Sequence, residues 1–235
     1  MRQILENGFN KLGLDVSENQ ILKLEEYAEL LIQWNEKINL TAITEPEEIA
    51  LKHFIDCASC LTAAELSGSI IDVGTGAGFP GIVLKILKPE IKLYLLDSLK
   101  KRLTFLKEVC EKLELSDVEL IHARAEDGGQ NPKLREKFDF ATARAVANLS
   151  VLSEYCLPFV KVGGSFISMK GPDAKTECAG AKGAIKKLGG EISGIKEVLL
   201  PDSDITHTVI TVKKIRQTPP KYPRKAGKPT KEPLK

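Results

Sequence analysis

The sequence predicts an α/β fold: a seven-stranded, mostly parallel sheet covered by helices, with a helical extension ahead of it. Three observations carry this reading. From Ile70 onward, strand-like and helix-like segments alternate along the chain. The strand-like segments are short runs rich in Ile, Leu and Val, the composition of strands buried on both faces. Between the first strand and its following helix lies Gly74-Thr75-Gly76-Ala77-Gly78-Phe79-Pro80-Gly81, and the second strand ends in an acid, Asp97.

Ser17, followed by Glu18, caps a predicted helix through about Asn39, with Ile21, Leu24, Ala28, Leu31 and Ile32 at helical spacing. Thr44-Glu45-Pro46-Glu47 fits a capping box that opens a second helix through about Leu66. Strands are predicted near 69–73, 91–96, 117–122, 138–143, 164–169, 192–200 and 206–213, with helices near 79–88, 99–114, 148–158 and 173–188. The last two strands are joined by a short loop holding Pro201, Asp202 and Asp204, too short for a crossover helix, so they are expected to be antiparallel neighbours. The chain thus divides into a helical extension (1–66), a sheet domain (67–214) and a basic tail (215–235).

Glycines at 74, 76 and 78 let the first turn bend tightly and approach a ligand where a Cβ would collide, and the helix start behind them offers unpaired N–H groups. Asp97, about 20 residues further on, is placed to accept hydrogen bonds from ribose hydroxyls, the pattern of a pocket for a nucleoside-bearing cofactor. Open α/β sheets bind ligands beyond the carboxyl ends of their strands. Five successive ends carry polar groups: Asp72 and Gly74, Asp97, Ala125-Glu126-Asp127, Arg144, and Lys170-Gly171-Pro172.

Nicotinamide is the competing cofactor, because Gly76 to Gly81 matches G-x-G-x-x-G and would suit an NAD-dependent oxidoreductase. Against it, Asp72 sets a carboxylate just before a loop meant for a pyrophosphate, and none of the four tyrosines is followed four residues later by lysine. S-adenosyl-L-methionine carries an adenosine without phosphate and two cationic groups, and it suits an acid-flanked pocket better.

With 235 residues and 43% hydrophobic content, the chain can bury one substantial core plus an accessory segment. It has no apolar leader-like run and no stretch approaching the ~18 apolar residues of a membrane span, so a soluble, cytoplasmic protein is expected; a monomer is the separate expectation for its oligomeric state. The five cysteines are an odd set, mostly within predicted helices, which suits reduced thiols. Cys57 and Cys60 lie near His53 but lack a second ligand pair, so packing is expected and a metal is not. Net charge is +2, yet residues 213–235 hold nine bases against Glu232, a local +8 that leaves −6 elsewhere. Such a proline-punctuated tail makes no core of its own and suits phosphate contact, with Tyr222 free to stack and Arg224 and Lys225 beside it. A purely solubilising tail is the alternative.

From Trp34 onward the chain resembles the bacterial 16S ribosomal RNA guanine-N7 methyltransferase family, also called glucose-inhibited division protein B. The matching segments are Trp34 through Thr41, His53-Phe54-Ile55-Asp56, Asp72 through Gly81, Asp97 through Arg102, Arg124-Ala125-Glu126, Thr142 through Ala147, Lys170-Gly171 and Tyr222-Pro223-Arg224-Lys225. Cys57 stands where the family usually has serine, and Ala226 interrupts the usual Pro-Arg-Lys-Pro-Gly. The resemblance implies a Rossmann-like class I S-adenosylmethionine-dependent methyltransferase that methylates N7 of one guanosine in the decoding region of 16S rRNA, free or in the small ribosomal subunit. It implies that Gly74 and Phe79 line the cofactor pocket, Ala125 and Glu126 the adenine, and Arg144 the methionine end or incoming nucleotide. Lys100, Arg102 and Lys170 would then contact phosphate from the rim.

The residues agree by elimination. No Asn/Asp-Pro-Pro-Tyr segment is present to hold an exocyclic amine, and no Pro-Cys pair to attack cytosine. Guanine N7 has an in-plane lone pair and no proton, so its methylation needs alignment rather than a general base. His53 and Asp56 would share a helix face and could orient substrate with Arg144 and Lys170, although a structural hydrogen bond explains them almost as well. A non-catalytic RNA-binding protein on the same fold is a third possibility.

Overall fold

The structure, a computed structural model, describes residues 1–144, 147–171 and 173–235. Ala145 and Val146 of the Thr142 to Ala147 motif, and Pro172 at the fifth strand end, lie outside the described residues. The seven strands are β1 (Ser69–Val73), β2 (Lys92–Asp97), β3 (Val118–His122), β4 (Phe138–Arg144), β5 (Val160–Lys170), β6 (Gly190–Leu199) and β7 (Thr206–Lys214). Their spatial order is β3-β2-β1-β4-β5-β7-β6; the first five run parallel, and β7 is antiparallel to both β5 and β6. Because β1 pairs with β2 on one side and β4 on the other, the chain reverses its direction of travel there and leaves a crevice at the carboxyl ends.

Strand periodicity of two distributes apolar side chains to both faces. Leu93 and Leu95 join a cluster with Leu24, Tyr27, Phe54, Ile82 and Phe105, whereas Leu96 joins Ile71, Ala141, Phe159, Phe166 and Ile210. The first face is covered by α1 (Arg2–Lys11), α2 (Glu18–Asn35), α6 (Gly81–Leu87) and α7 (Lys100–Lys112), so the N-terminal extension shares the sheet's own core. Ser17 caps α2 as expected, in a reciprocal box with Gln20.

Several elements differ from expectation. Helix α1 escaped the sequence reading. The helix predicted from Thr44 begins instead as α3 (Pro46–Ile49), behind Glu45 and without a side-chain cap, with proline at its first position, where the fixed φ suits a helix start. The helical run then widens into a π-helical turn, Ala50–Ile55, followed by α4 (Asp56–Ala58) and α5 (Cys60–Ala63). Two glycines concealed α8 (Ala125–Gln130), while α9 (Leu149–Cys156) and α10 (Ala174–Lys187) lie close to expectation.

The tail needs the largest correction. Tyr222 is buried in the second core cluster and so is not free to stack on a base. Arg224 Nη2 donates to Glu154 Oε2 at 2.6 Å and its Nε to Oε1 at 2.8 Å, so its charge is spent on a carboxylate that is fully buried. Arg135 donates to the carbonyls of Thr218 (2.7 Å) and Tyr222 (2.8 Å), and Gln130 to that of Pro223 (2.8 Å). Prolines at 219, 220 and 223 remove three donors from this segment, and its carbonyls are held by Arg135 and Gln130 of the sheet domain. It ends in a short helix, α11 (Lys228–Lys231), and Lys221, Lys225 and Lys231 remain exposed. Among the described residues no helix is long and apolar enough to cross a membrane.

Candidate functional site

A cleft of about 550 Å³ opens at the carboxyl ends of β1 to β4. Its floor is the glycine turn. The N–H groups of Gly74 and Thr75 donate to Leu96 O of β2 (2.8 and 3.1 Å), which folds the turn back over the sheet edge. Gly74 and Gly76 take positive φ (71° and 61°) and line the cleft. A Cβ on Gly76 would meet nothing nearer than Gly74 O at 4.0 Å, so its open side faces the cleft. Gly78 does not line it: a Cβ there would lie 2.6 Å from Tyr27 Oη and 2.7 Å from Ile82, which makes this glycine a packing requirement beneath the turn.

Asp72 also lies below the turn rather than in the cleft. Its Oδ2 accepts from Thr75 Oγ1 (2.6 Å) and Gly81 N–H (3.0 Å), and Oδ1 from Thr142 Oγ1 (3.2 Å), bracing turn, helix and β4 together. Complete burial raises its pKa to about 6 despite those donors. Asp97, by contrast, reaches the cleft. Its Oδ2 accepts from Gly76 N–H (3.0 Å) and Arg102 Nη1 (3.3 Å), and Oδ1 from Leu99 N–H (2.8 Å), so a buried carboxylate is held rigidly at the end of β2. Arg102 lines the cleft through this pairing, whereas Lys100 is exposed beyond it.

Across the crevice, Arg144 at the end of β4 gathers the residues of the N-terminal segment. Nη1 donates to Asp56 Oδ2 (3.0 Å) and Lys52 O (3.1 Å), and Nη2 to His53 Nδ1 (3.0 Å). The same Nδ1 lies 3.1 Å from Lys52 O, and Nε2 lies 2.9 Å from Thr41 Oγ1. Burial, reinforced by the Arg144 charge, lowers the His53 pKa to about 4 and keeps the ring neutral. Phe79 packs against both partners: its ring lies 4.5 Å from that of His53 and 4.9 Å from the Arg144 guanidinium. The sequence reading missed His207, whose Nδ1 donates to Asp56 Oδ1 at 2.6 Å; that hydrogen bond raises its pKa. No short-range pattern signals this contact, which joins residues 151 positions apart.

Ala125 and Glu126 line the far side, together with Arg124, Tyr155, Gly227 and Thr230. Lys170 lies elsewhere: its ammonium is bound by Ala147 O (2.5 Å) and Glu177 (2.8 Å), with only 9% of the side chain exposed, and it does not line the cleft. Lys225 is exposed on the tail outside it. Cys57 and Cys60 are buried, and desolvation holds their thiols well above the ordinary range.

Known proteins share both the chain and the fold. The family described as rRNA small subunit methyltransferase G matches residues 20–206. A protein of that name from Alkaliphilus metalliredigens is 55% identical over 236 residues, covering 100% of this chain and 99% of the relative. Another, from Acetivibrio thermocellus, is 54% identical over 235 residues, covering 100% and 97%. A crystal structure of M. jannaschii TYW2 in complex with AdoMet superposes with a TM-score of 0.51 at 16% identity, covering 64% of this chain and 72% of that one, and it shares the fold. With this match along its whole length, the chain belongs to the rRNA small subunit methyltransferase G family.

Proposed function

We propose that this protein transfers a methyl group from S-adenosyl-L-methionine to N7 of a single guanosine of 16S rRNA, a substrate that puts its work in the cytoplasm. The observation that carries the reading is the pairing of Asp97 with the glycine turn. A rigid, buried carboxylate stands where ribose hydroxyls can reach it, beside a glycine whose missing Cβ leaves the cleft open. The cleft volume of about 550 Å³ is within the range of small-molecule pockets. Asp97 and Gly76 would hold the nucleoside, Gly74 and Phe79 the methionine side, and Ala125 and Glu126 the base.

When bound, the cofactor supplies an electrophilic methyl group on a sulfonium. The protein's own contribution is alignment, which is worth several kcal/mol when the acceptor is held near attack distance. Arg144, charge-matched by Asp56, and neutral His53 make a wall of fixed polar groups, and an acceptor nitrogen without a proton needs no general base from it. Lys100 and Lys225 would meet the RNA backbone from outside the cleft, and Arg102 from its rim.

The test is incubation with labelled S-adenosylmethionine and small subunits from cells lacking this gene, followed by chemical cleavage at 7-methylguanosine. One labelled guanosine is the expected result; label at another base atom would refute the N7 assignment. Asp97→Ala should weaken cofactor binding by about 1.5–3 kcal/mol, the value of a charge-assisted hydrogen bond. Unchanged affinity in calorimetry would remove Asp97 from the pocket.

A further inference from the structure

We propose that the turn at Gly227 and Thr230 of the basic tail is part of the cofactor pocket, forming the wall of its adenine side and holding Glu126 in place. This inference rests on the S-adenosylmethionine reading above. A nucleoside with its ribose at Asp97 has two directions open to it: toward Arg144 and His53 beyond β4, or toward Ala125 and Glu126 beyond β3. On the β3 side the sheet domain ends, and the tail supplies the missing surface.

Several contacts make that surface. Glu126 Oε1 accepts from the Gly227 N–H at 2.9 Å, and among the described residues no other hydrogen bond to this carboxylate is made. Its second oxygen is therefore left for a ligand donor, such as an exocyclic amine. Gly227 has φ of +80°, a conformation that presents its N–H to Glu126 and that residues with a Cβ adopt only with strain. Thr230 Oγ1 is 2.9 Å from Tyr155 Oη, tying the next turn of the tail to another cleft residue.

The tail is anchored upstream of this wall, independently of it. Arg224 is bound by Glu154, Tyr222 is buried, and Pro223 packs where a Cβ on Gly129 would lie 2.9 Å away. Residues 226–235 can therefore be removed while these anchors stay. A segment whose composition suggests only phosphate contact thus takes two roles, with Lys221 and Lys225 in solvent and Gly227 and Thr230 at the cleft.

The test is calorimetric binding of S-adenosylhomocysteine to the full chain, to a chain ending at Lys225, and to Gly227→Pro, which lacks the N–H and cannot reach φ of +80°. Melting curves of the ligand-free proteins report folding. Expected is a rise in Kd of at least about tenfold in both variants, equivalent to about 1.4 kcal/mol, with melting temperatures close to that of the full chain. Affinity that stays within about threefold in Gly227→Pro overturns the proposal, whatever the truncation does. If the full chain itself binds neither S-adenosylhomocysteine nor S-adenosylmethionine, the function reading fails instead.

Discussion

On the β4 side of the cleft, Arg144 meets His53 and Asp56 through side-chain charge and ring nitrogen; on the β3 side, Glu126 meets the tail through a backbone N–H, and the tail is held by its carbonyls. Both sides join segments far apart in the chain, but by different chemistry. The first depends on protonation states and on mutual neutralisation in a buried place. The second depends on tethers from Arg135, Gln130 and Glu154 to a segment with few side chains of its own in the core. The β4 wall should therefore respond to pH through His53, and the tail wall to the loss of its anchors, the Arg224–Glu154 ion pair among them.

Arg144→Ala breaks the comparison hardest. It leaves Asp56 buried with only His207 for company, and removing one partner of a buried pair costs about 3–5 kcal/mol. Urea denaturation should show this loss, with methyl transfer abolished; wild-type stability would mean that Asp56 rehydrates freely. The next effect is pH dependence. His53 binds its proton at about 4 when folded against 6.5 when unfolded, so its neutral form contributes stability that is lost as pH falls from 6.5 toward 4. The loss is up to about 3 kcal/mol. Asp72, raised to about 6, acts in the opposite sense across much of that window, so the comparison must be between wild type and His53→Asn. Parallel stability curves for the two proteins would remove His53 from the wall.

The tail wall should behave otherwise. Arg135→Ala frees the Thr218 and Tyr222 carbonyls and should cost about 2 kcal/mol, the scale of hydrogen bonds to a charged donor, with no added pH dependence between 6.5 and 4. A cost that grew on acidification would blur the distinction. The smallest effect belongs to His207, which is partly exposed. Its bond to Asp56 is complete below pH 6.5 and weakens as pH rises through the raised folded value. His207→Ala should lose about 1 kcal/mol at pH 6, and His207→Asn, which keeps a donor, should recover part of it. Equal stability of the two variants would show that the donor is not what matters.

This contrast also explains what was legible in the sequence. Alternating apolar segments revealed all seven strands, and the short β6–β7 loop revealed their antiparallel pairing, because each depends on local periodicity. Asp97 and Arg144 stood out by their places at strand ends, and His53 and Asp56 by the family resemblance and a shared helix face. The tail's role was hidden because carbonyl acceptors have no residue signature. Its bases, counted together, suggested a single electrostatic purpose, although Arg224 and Lys214 turn inward; burial lowers the Lys214 pKa to about 8, and its ammonium is bound by Leu157 O and Thr218. Gly78 shows the reverse error: a motif position read as ligand-facing serves the packing of Tyr27 and Ile82.

The sequence separations in the cleft imply an order of assembly during folding. Gly76 and Asp97, whose bond forms the floor, are 21 residues apart, whereas His53 to Arg144 spans 91 and Glu126 to Gly227 spans 101. Closing the longer loops costs more chain entropy and waits on the elements between them. In refolding experiments the β1–β2 core should regain its hydrogen-exchange protection before ligand affinity returns, because a sheet can close while both walls of its cleft are still missing.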